Sequence, residues 1–417
     1  MKKMIIEGGH ELSGVIKISG AKNSAVALIP AAILSDSEVI IDNVPNISDT
    51  DALVDILRLL KCGVTLQDNS MTIDNSKMEN ILIPEEYSNK LRASYYFMGA
   101  LLGKYKKAEI YFPGGCNIGK RPINLHLKGF EELGAKIEID GNKYTIVADE
   151  LKGANIYLDI ASCGATVNLM LAAVKAKGIT KIKNAAKEPE IVNVATLLNN
   201  MGAKIYGAGT SEITIYGVEK LGFARVEVIP DRIEAGTYMI IGALLGNNLV
   251  INDIIREHNE ALYSKLKDMG VDIQITDNCA IINKTDNLKP VNIRSLVFPG
   301  FVTDLGQPMQ VLLTQADGES VFEETIFENR MSHIPYLQKM GADMELICQT
   351  VKIKGKSYLT GTNVEATDLR AGAAMVVAGL IAKGTTEVSK IEHILRGYDN
   401  IVEKLNAVGA NIKIVEE

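Results

Sequence analysis

Residues 367–384 read TDLRAGAAMVVAGLIAKG. On the helix this segment would form, apolar side chains fall on every face, and the charges Asp368 and Arg370 stand at its front. A helix that is apolar all round belongs inside a core. Five other segments share the character: KNSAVALIPAAILS from Lys22, LRASYYFMGALLG from Leu91, GATVNLMLAAVKAKG from Gly164, DRIEAGTYMIIGALLG from Asp231 and TDLGQPMQVLLTQADG from Thr303. Between them an amphipathic helix recurs about every 70 residues. Each copy ends near a glycine (Gly63, Gly134, Gly202, Gly270, Gly341 and Gly409) and runs into alternating apolar residues, as a helix C-cap leading into a strand would.

The chain therefore reads as six copies of one unit: strand, buried helix, strands, amphipathic helix, strand. The expected fold class is α/β (α+β), with strands outside buried helices, in two domains of three units and about 200 residues each. A doubly wound sheet would not repeat both helices six times, and no GxGxxG opens a helix after a strand.

Composition narrows the function. The chain has 417 residues and a formal net charge of −7, and no Lys/Arg block longer than a pair is interleaved with aromatics, which argues against a nucleic-acid partner. Five scattered cysteines, Cys62, Cys116, Cys163, Cys279 and Cys348, suggest neither a disulfide frame nor a zinc site, and point to a reducing, cytoplasmic setting. The start does not read as a signal peptide. The longest apolar run, from Ala371, covers about 12 residues and is too short for membrane insertion. The five histidines never occur as HxxxH or HxH, so no metal is expected. Only His126 merits attention, for its neighbours.

Those neighbours are YFPGGCNIGKRPINLH, residues 111–126, where Cys116 lies between two glycines and the pair Lys120 and Arg121. Adjacent cations favour the thiolate, and Gly114, Gly115 and Gly119 let the backbone fold over a ligand. A nucleophile, a proton donor and an idle thiol are all compatible with this pattern. The other four cysteines lie in or next to regular elements and read as packing.

Charged residues recur at matching places in the units. Lys22, Asn23, Arg92, Asp231, Arg232, Asp304, Asp368 and Arg370 precede or open the buried helices. Asp49, the Cys116 to Arg121 loop, Glu188, Glu190, Arg330 and Arg396 precede the amphipathic ones. Helix N-termini at that end would add positive dipole ends. Several cations on one site suit a small polyanion, with arginine forks taking carboxylate or phosphate oxygens in pairs. Asp304 and Asp368 fit helix N-caps and catalytic carboxylates equally well.

Six segments together carry a family resemblance: SGAKNSAVALIPAAIL, PGGCNIGKRPINLHL, NAAKEPEIVNVATLL, IFENRMSHIPYLQKMGA, ATDLRAGAAMVVAGLIAKGTT and RGYDNIVEKLNAVGANI. Nearly end to end, the chain resembles the enolpyruvyl transferases that act on UDP-N-acetylglucosamine. That resemblance implies a two-domain inside-out α/β barrel with the active site in an interdomain cleft, one domain at 22–229 and the other at 1–21 plus 230–417. It implies transfer of the enolpyruvyl group of phosphoenolpyruvate to the 3-hydroxyl of UDP-N-acetylglucosamine, with release of phosphate, the first committed step of peptidoglycan synthesis. No cofactor is implied, and no protein partner is indicated.

Residue by residue, the resemblance implies that Lys22, Asn23, Cys116, Arg121, Arg330, Arg370 and Arg396 serve phosphoenolpyruvate. Arg92, Arg121, Pro122, Ile123, Asn124, Leu125, Ser162, Cys163, Asp304 and Ile326 would hold the sugar nucleotide. Cys116 would be the acid and Asp304 the acceptor of the hydroxyl proton, with Lys22, Asn23, Arg121, Asp368 and Arg396 also catalytic. Sensitivity to epoxides of the fosfomycin type is implied as well. The chain departs from the pattern at Ile160, where some members carry lysine, and at Cys163, where valine is common. The shikimate-pathway transferase of the same fold usually shows Gly-Asn-Ala-Gly-Thr where this chain reads LRASYYFMGA. A regulatory paralogue without turnover would have lost Cys116, Lys22 or Asp304, and all three are here.

Overall fold

The structure is a computed structural model that describes residues 2–112, 114, 118–119 and 122–416. The six apolar segments all form helices: α1 (Lys22–Ala32), α2 (Tyr96–Tyr105), α3 (Cys163–Ala173), α4 (Arg232–Leu245), α5 (Gly306–Leu313) and α6 (Leu369–Ile381). Every residue of α4 and α5 is buried, as their all-round apolar faces require.

Among the described residues there are six small sheets, five of four strands and one of three. Three share one wiring. A strand that leads into a buried helix lies parallel to the strand that leaves it, and two strands are added antiparallel beyond: a hairpin from the next helix around α3 and α5, and Lys2–Glu7 with Asn411–Glu416 around α6. Around α3 the parallel pair is Asn155–Tyr157 and Ile179–Lys183; around α5 it is Ile293–Arg294 and Glu319–Glu323; around α6 it is Asn363–Glu365 and Thr385–Ser389. Parallel neighbours need such a helical crossover.

Around α1 and α4 the wiring is exchanged. Leu12–Lys17, which precedes α1, pairs in parallel with Gly246–Asn252, which follows α4. Ala224–Glu227, which precedes α4, pairs in parallel with Val39–Asp42, which follows α1. The exchange divides the chain into two compact units. One takes residues up to Ser19 and from Pro230 onwards; the other runs from Gly20 to Ile229, apart from a few loop residues around 118. Each has its own apolar core.

Five of the six repeated glycines cap amphipathic helices in the left-handed region, Gly134, Gly202, Gly270, Gly341 and Gly409, with φ from 82° to 111°. The sixth expectation is corrected. After the helix Ser48–Leu59 the left-handed residue is Lys61, at φ 65°, and Gly63 already opens a strand. A lysine can take this conformation at modest cost, and the glycine signal is then displaced by two residues.

Candidate functional site

In the unit that holds α4, α5 and α6, one carboxylate gathers two guanidinium groups. Asp304 lies in a short 3-10 turn, Thr303–Leu305, just ahead of α5. Arg330 donates from Nη2 to Asp304 Oδ1 at 2.6 Å, and Arg370 donates from Nη2 to Oδ2 at 3.0 Å. Both arginine side chains are almost wholly buried, whereas 23% of the Asp304 side chain stays open. Burial alone would raise this carboxyl, but Arg330 and Arg370 outweigh it and hold it well below the usual carboxylate range, with a smaller pull from Arg232. Burial alone would likewise lower Arg370, and Asp304 reverses that and raises it.

Asp304 is therefore an ion-pair partner rather than a helix cap. Asp368 is the cap: its Oδ1 accepts from the backbone N–H groups of Arg370 at 2.8 Å and Ala371 at 3.0 Å, at the start of α6. Its Oδ2 accepts from Gln307 Nε2 and Ser332 Oγ. The arginines keep unused capacity. Arg330 Nε and Arg370 Nη1 are buried and lack a hydrogen-bond partner among the described residues. Both guanidinium groups thus hold donors that Asp304 does not use. Arg370 also stacks on the ring of fully buried Tyr398 at 5.6 Å, and Arg330 on Phe327 at 5.1 Å. Arg396 ends the short helix Glu392–Leu395 and is half-buried. Ile326 is half-buried, and its N–H donates to Glu324 Oε1 at 2.7 Å.

In the other unit, Lys22 and Asn23 open α1. Lys22 Nζ pairs with the buried carboxylate of Asp49 at 3.0 Å. Ser162 caps α3, its Oγ accepting from Ala165 N at 3.3 Å, and Cys163 is the first residue of that helix. Arg92 lies half-buried in the 3-10 turn ahead of α2, and burial lowers its pKa. Pro122 and Asn124 are exposed, Ile123 is buried, and Leu125 packs against the core at the start of the helix Asn124–Glu132. Cys116, Lys120 and Arg121 lie outside the described residues.

His126 is buried against Tyr95, the two rings edge to face at 4.9 Å. Burial, and after it Arg92, pushes its pKa down to about 3, so the ring is neutral near pH 7. Asn168 Oδ1 accepts from Gly99 N at 2.8 Å, so its amide nitrogen is the donor to His126 Nδ1 at 2.9 Å. The proton is thereby assigned to Nε2.

The remaining cysteines differ from one another. Cys62 is buried, and burial pushes its thiol up to about 12, as packing requires. Cys348 is exposed in the turn between Asp343–Ile347 and Thr350–Lys354, which corrects its reading as packing. Among the described residues no group of His, Cys, Asp and Glu could hold a metal ion, and no helix is long and apolar enough to cross a membrane.

Sequence reasoning left out Thr303, Glu324 and Tyr398. Each acts on a site residue from behind, and none has a local pattern that marks it.

The EPSP synthase (3-phosphoshikimate 1-carboxyvinyltransferase) family matches residues 6–405. The chain belongs to this family. It is 50% identical over the full length of both chains to UDP-N-acetylglucosamine 1-carboxyvinyltransferase 2 of Streptococcus pyogenes serotype M1. It is 52% identical, over 98% of this chain and 97% of the other, to the protein of the same name from Listeria monocytogenes serovar 1/2a. Among solved structures it is similar to the enolpyruvyl transferase NikO from Streptomyces tendae, with a TM-score of 0.89, 25% identity and 99% of each chain covered. The fold is also that of EPSP synthase from Acinetobacter baumannii, with a TM-score of 0.77 at 18% identity over the whole of both chains. The mixed α/β architecture with six small sheets is thus the enolpyruvyl transferase fold.

Proposed function

We propose that this chain transfers the enolpyruvyl group of phosphoenolpyruvate to the 3-hydroxyl of UDP-N-acetylglucosamine and releases phosphate. The observation that carries this is identity of about half over the whole chain to relatives named for that 1-carboxyvinyl transfer. Each unit is read as an inside-out α/β barrel of three βαβαββ repeats, since buried helices and sheets recur in that order. The domain boundaries follow the same reading, 22–229 and 1–21 with 230–417. The setting is the cytoplasm, where peptidoglycan precursors are made.

The chemistry assigns roles. The double bond of phosphoenolpyruvate is electron-rich, so C3 must gain a proton as the sugar hydroxyl attacks C2. Cys116 supplies that proton and Asp304 receives the one from the hydroxyl. Loss of phosphate and of a C3 proton then restores the double bond. Lys22, Asn23, Arg121, Arg330, Arg370 and Arg396 fix the phosphate and carboxylate, and so stabilise the cationic centre at C2 through its anionic neighbours.

A carboxylate held by two arginines is a poor base. As Arg330 and Arg370 turn their donors to the anionic substrate, Asp304 loses part of its compensation and its proton affinity rises. Arg92, Pro122, Ile123, Asn124, Leu125, Ser162, Cys163 and Ile326 hold the nucleotide, and Asp368 keeps Arg370 at the front of α6.

The test is phosphate release with phosphoenolpyruvate and either UDP-N-acetylglucosamine or shikimate 3-phosphate, read alongside product mass. Release with the sugar nucleotide alone, and a product heavier by one enolpyruvyl group, is expected. Release with shikimate 3-phosphate alone would transfer the assignment to the other branch of the family. Silence with both would overturn turnover altogether.

A further inference from the structure

Glu324 is 2% exposed and follows the strand Glu319–Glu323. Its carboxylate collects four donors. Oε1 accepts from Ser295 Oγ at 2.8 Å, Ile326 N at 2.7 Å and Phe327 N at 3.2 Å, and Oε2 accepts from Thr303 Oγ1 at 2.7 Å. Thr303 Oγ1 in turn accepts from Arg330 Nη1 at 3.0 Å, and Arg330 Nη2 donates to Asp304. A hydroxyl has one proton. Because that of Thr303 goes to Glu324, its lone pairs face the guanidinium.

We infer that Glu324 is a positioning residue that couples the Ile326–Phe327 turn to the orientation of Arg330 and, through it, Asp304. One oxygen shapes the turn whose Phe327 ring lies against Arg330, and the other sets the hydroxyl that Arg330 donates to. The inference rests on the reading that Ile326 serves the nucleotide and Asp304 the reaction. Its chemical signature is that no amide can replace the acid. If the nitrogen of a glutamine faced Thr303, it would turn the hydroxyl proton towards Arg330; if it faced the other way, it would oppose three donors.

The experiment measures kcat and KM for UDP-N-acetylglucosamine, with phosphoenolpyruvate saturating, in Glu324→Gln, Thr303→Val, Thr303→Ser and Asp304→Ala. Glu324→Gln is expected to lower kcat by about 10- to 100-fold, the scale of a small misplacement of catalytic groups, and to raise KM several-fold. Thr303→Val should reproduce the loss in kcat with KM nearly unchanged, since the turn keeps its acceptor. Thr303→Ser, which keeps the hydroxyl, should recover most of kcat. Glu324→Gln combined with Thr303→Val should lose little more kcat than Glu324→Gln alone.

Wild-type kinetic values in folded Glu324→Gln would overturn the inference, and so would a Thr303→Ser variant as slow as Thr303→Val. If Glu324→Gln does not fold, the two Thr303 variants decide alone. Asp304→Ala separates the failures. Activity there sinks the reading of the site, whereas an inactive Asp304→Ala beside a normal Glu324→Gln sinks only the role of Glu324.

Discussion

Two guanidinium groups on one carboxylate give Asp304 a part in the local charge balance beside the role proposed for it in the reaction. Removing it leaves Arg330 and Arg370, 4% and 3% exposed, without the carboxylate they share. Breaking a buried pair in this way costs about 3–5 kcal/mol. Asp304→Ala should lower the unfolding free energy by that order in urea titrations, and inorganic phosphate should restore part of it by occupying the arginines. Because the folded carboxyl is depressed, the stability it contributes is complete above the unfolded pKa and is lost only in strong acid. Between pH 5 and 8 the titrating groups are others. Glu234, 2% exposed, accepts from Lys404 Nζ at 2.6 Å and Ser19 N at 2.9 Å, and burial pushes its carboxyl from 4.5 up to about 7 despite Lys404. In that window the folded chain keeps a proton that the unfolded chain releases, so the contribution of Glu234 to stability falls as pH rises. The stability of the wild type relative to Glu234→Gln should therefore decline from about pH 4.5 to about pH 7, by up to about 1.4 kcal/mol per unit. His126 slopes the other way. Its folded pKa is depressed, so its contribution is complete above about 6.5 and is lost as pH falls towards about 3. The two slopes oppose each other in the wild type, and the Glu234→Gln comparison separates them.

Several of the residues proposed for the site stand at the starts of the buried helices, and the caps of those helices are not uniform. Asp231 and Asp368 accept from two backbone N–H groups each at the fronts of α4 and α6, and Ser162 accepts from one at α3. Loss of such a cap costs about 1–2 kcal/mol. Asp368→Ala should show that loss in urea unfolding, and Asp368→Ser, which keeps a capping oxygen, should recover most of it. The helices themselves were legible in the sequence because an apolar face on every side has only one stable place. The amphipathic helices were legible to within a turn, and the miss at Gly63 has a local cause, since a lysine can hold the left-handed cap at residue 61. The aspartates could not be sorted by pattern. TDLGQ and TDLRA present the same signal, yet Asp368 caps its helix while Asp304 turns to two arginines contributed by distant segments. Glu324 was invisible for the same reason, because its partners Ser295 and Thr303 lie more than 20 residues away. Cys116 and Arg121 lie outside the described residues, and their roles stay proposals on the sequence pattern.

For the whole molecule, the exchange of strands has no local sequence pattern; only the family resemblance pointed to a divided unit, and the exchange makes the two units unequal as pieces of chain. Residues 20–229 contain every strand of their three sheets and all of α1, α2 and α3. Residues 230–417 do not suffice for the rest. The strand Lys2–Glu7 lies between Thr385–Ser389 and Asn411–Glu416, antiparallel to both, with Met4 and Ile6 fully buried. Leu12–Lys17 completes the sheet that follows α4, and Leu12 and Ile16 are buried there. Without these two strands the fragment forfeits four core side chains at about 1.5–3 kcal/mol each, a loss of the same order as a typical domain's whole net stability. A fragment of residues 20–229 should therefore unfold cooperatively on its own, whereas 230–417 should not. The register also says how to repair the second piece. Lys2 pairs with Glu416 and Glu7 with Asn411, so the two strands already form the arms of a hairpin, and a short glycine-containing turn from the end of the chain back to its start would close it. The permuted chain 230–417 joined to 1–19 should recover cooperative unfolding in urea and its far-ultraviolet circular dichroism. A cooperative transition in unjoined 230–417 would show that the exchanged strands are dispensable, and failure of the permuted chain would show that this half needs more than its own strands to fold.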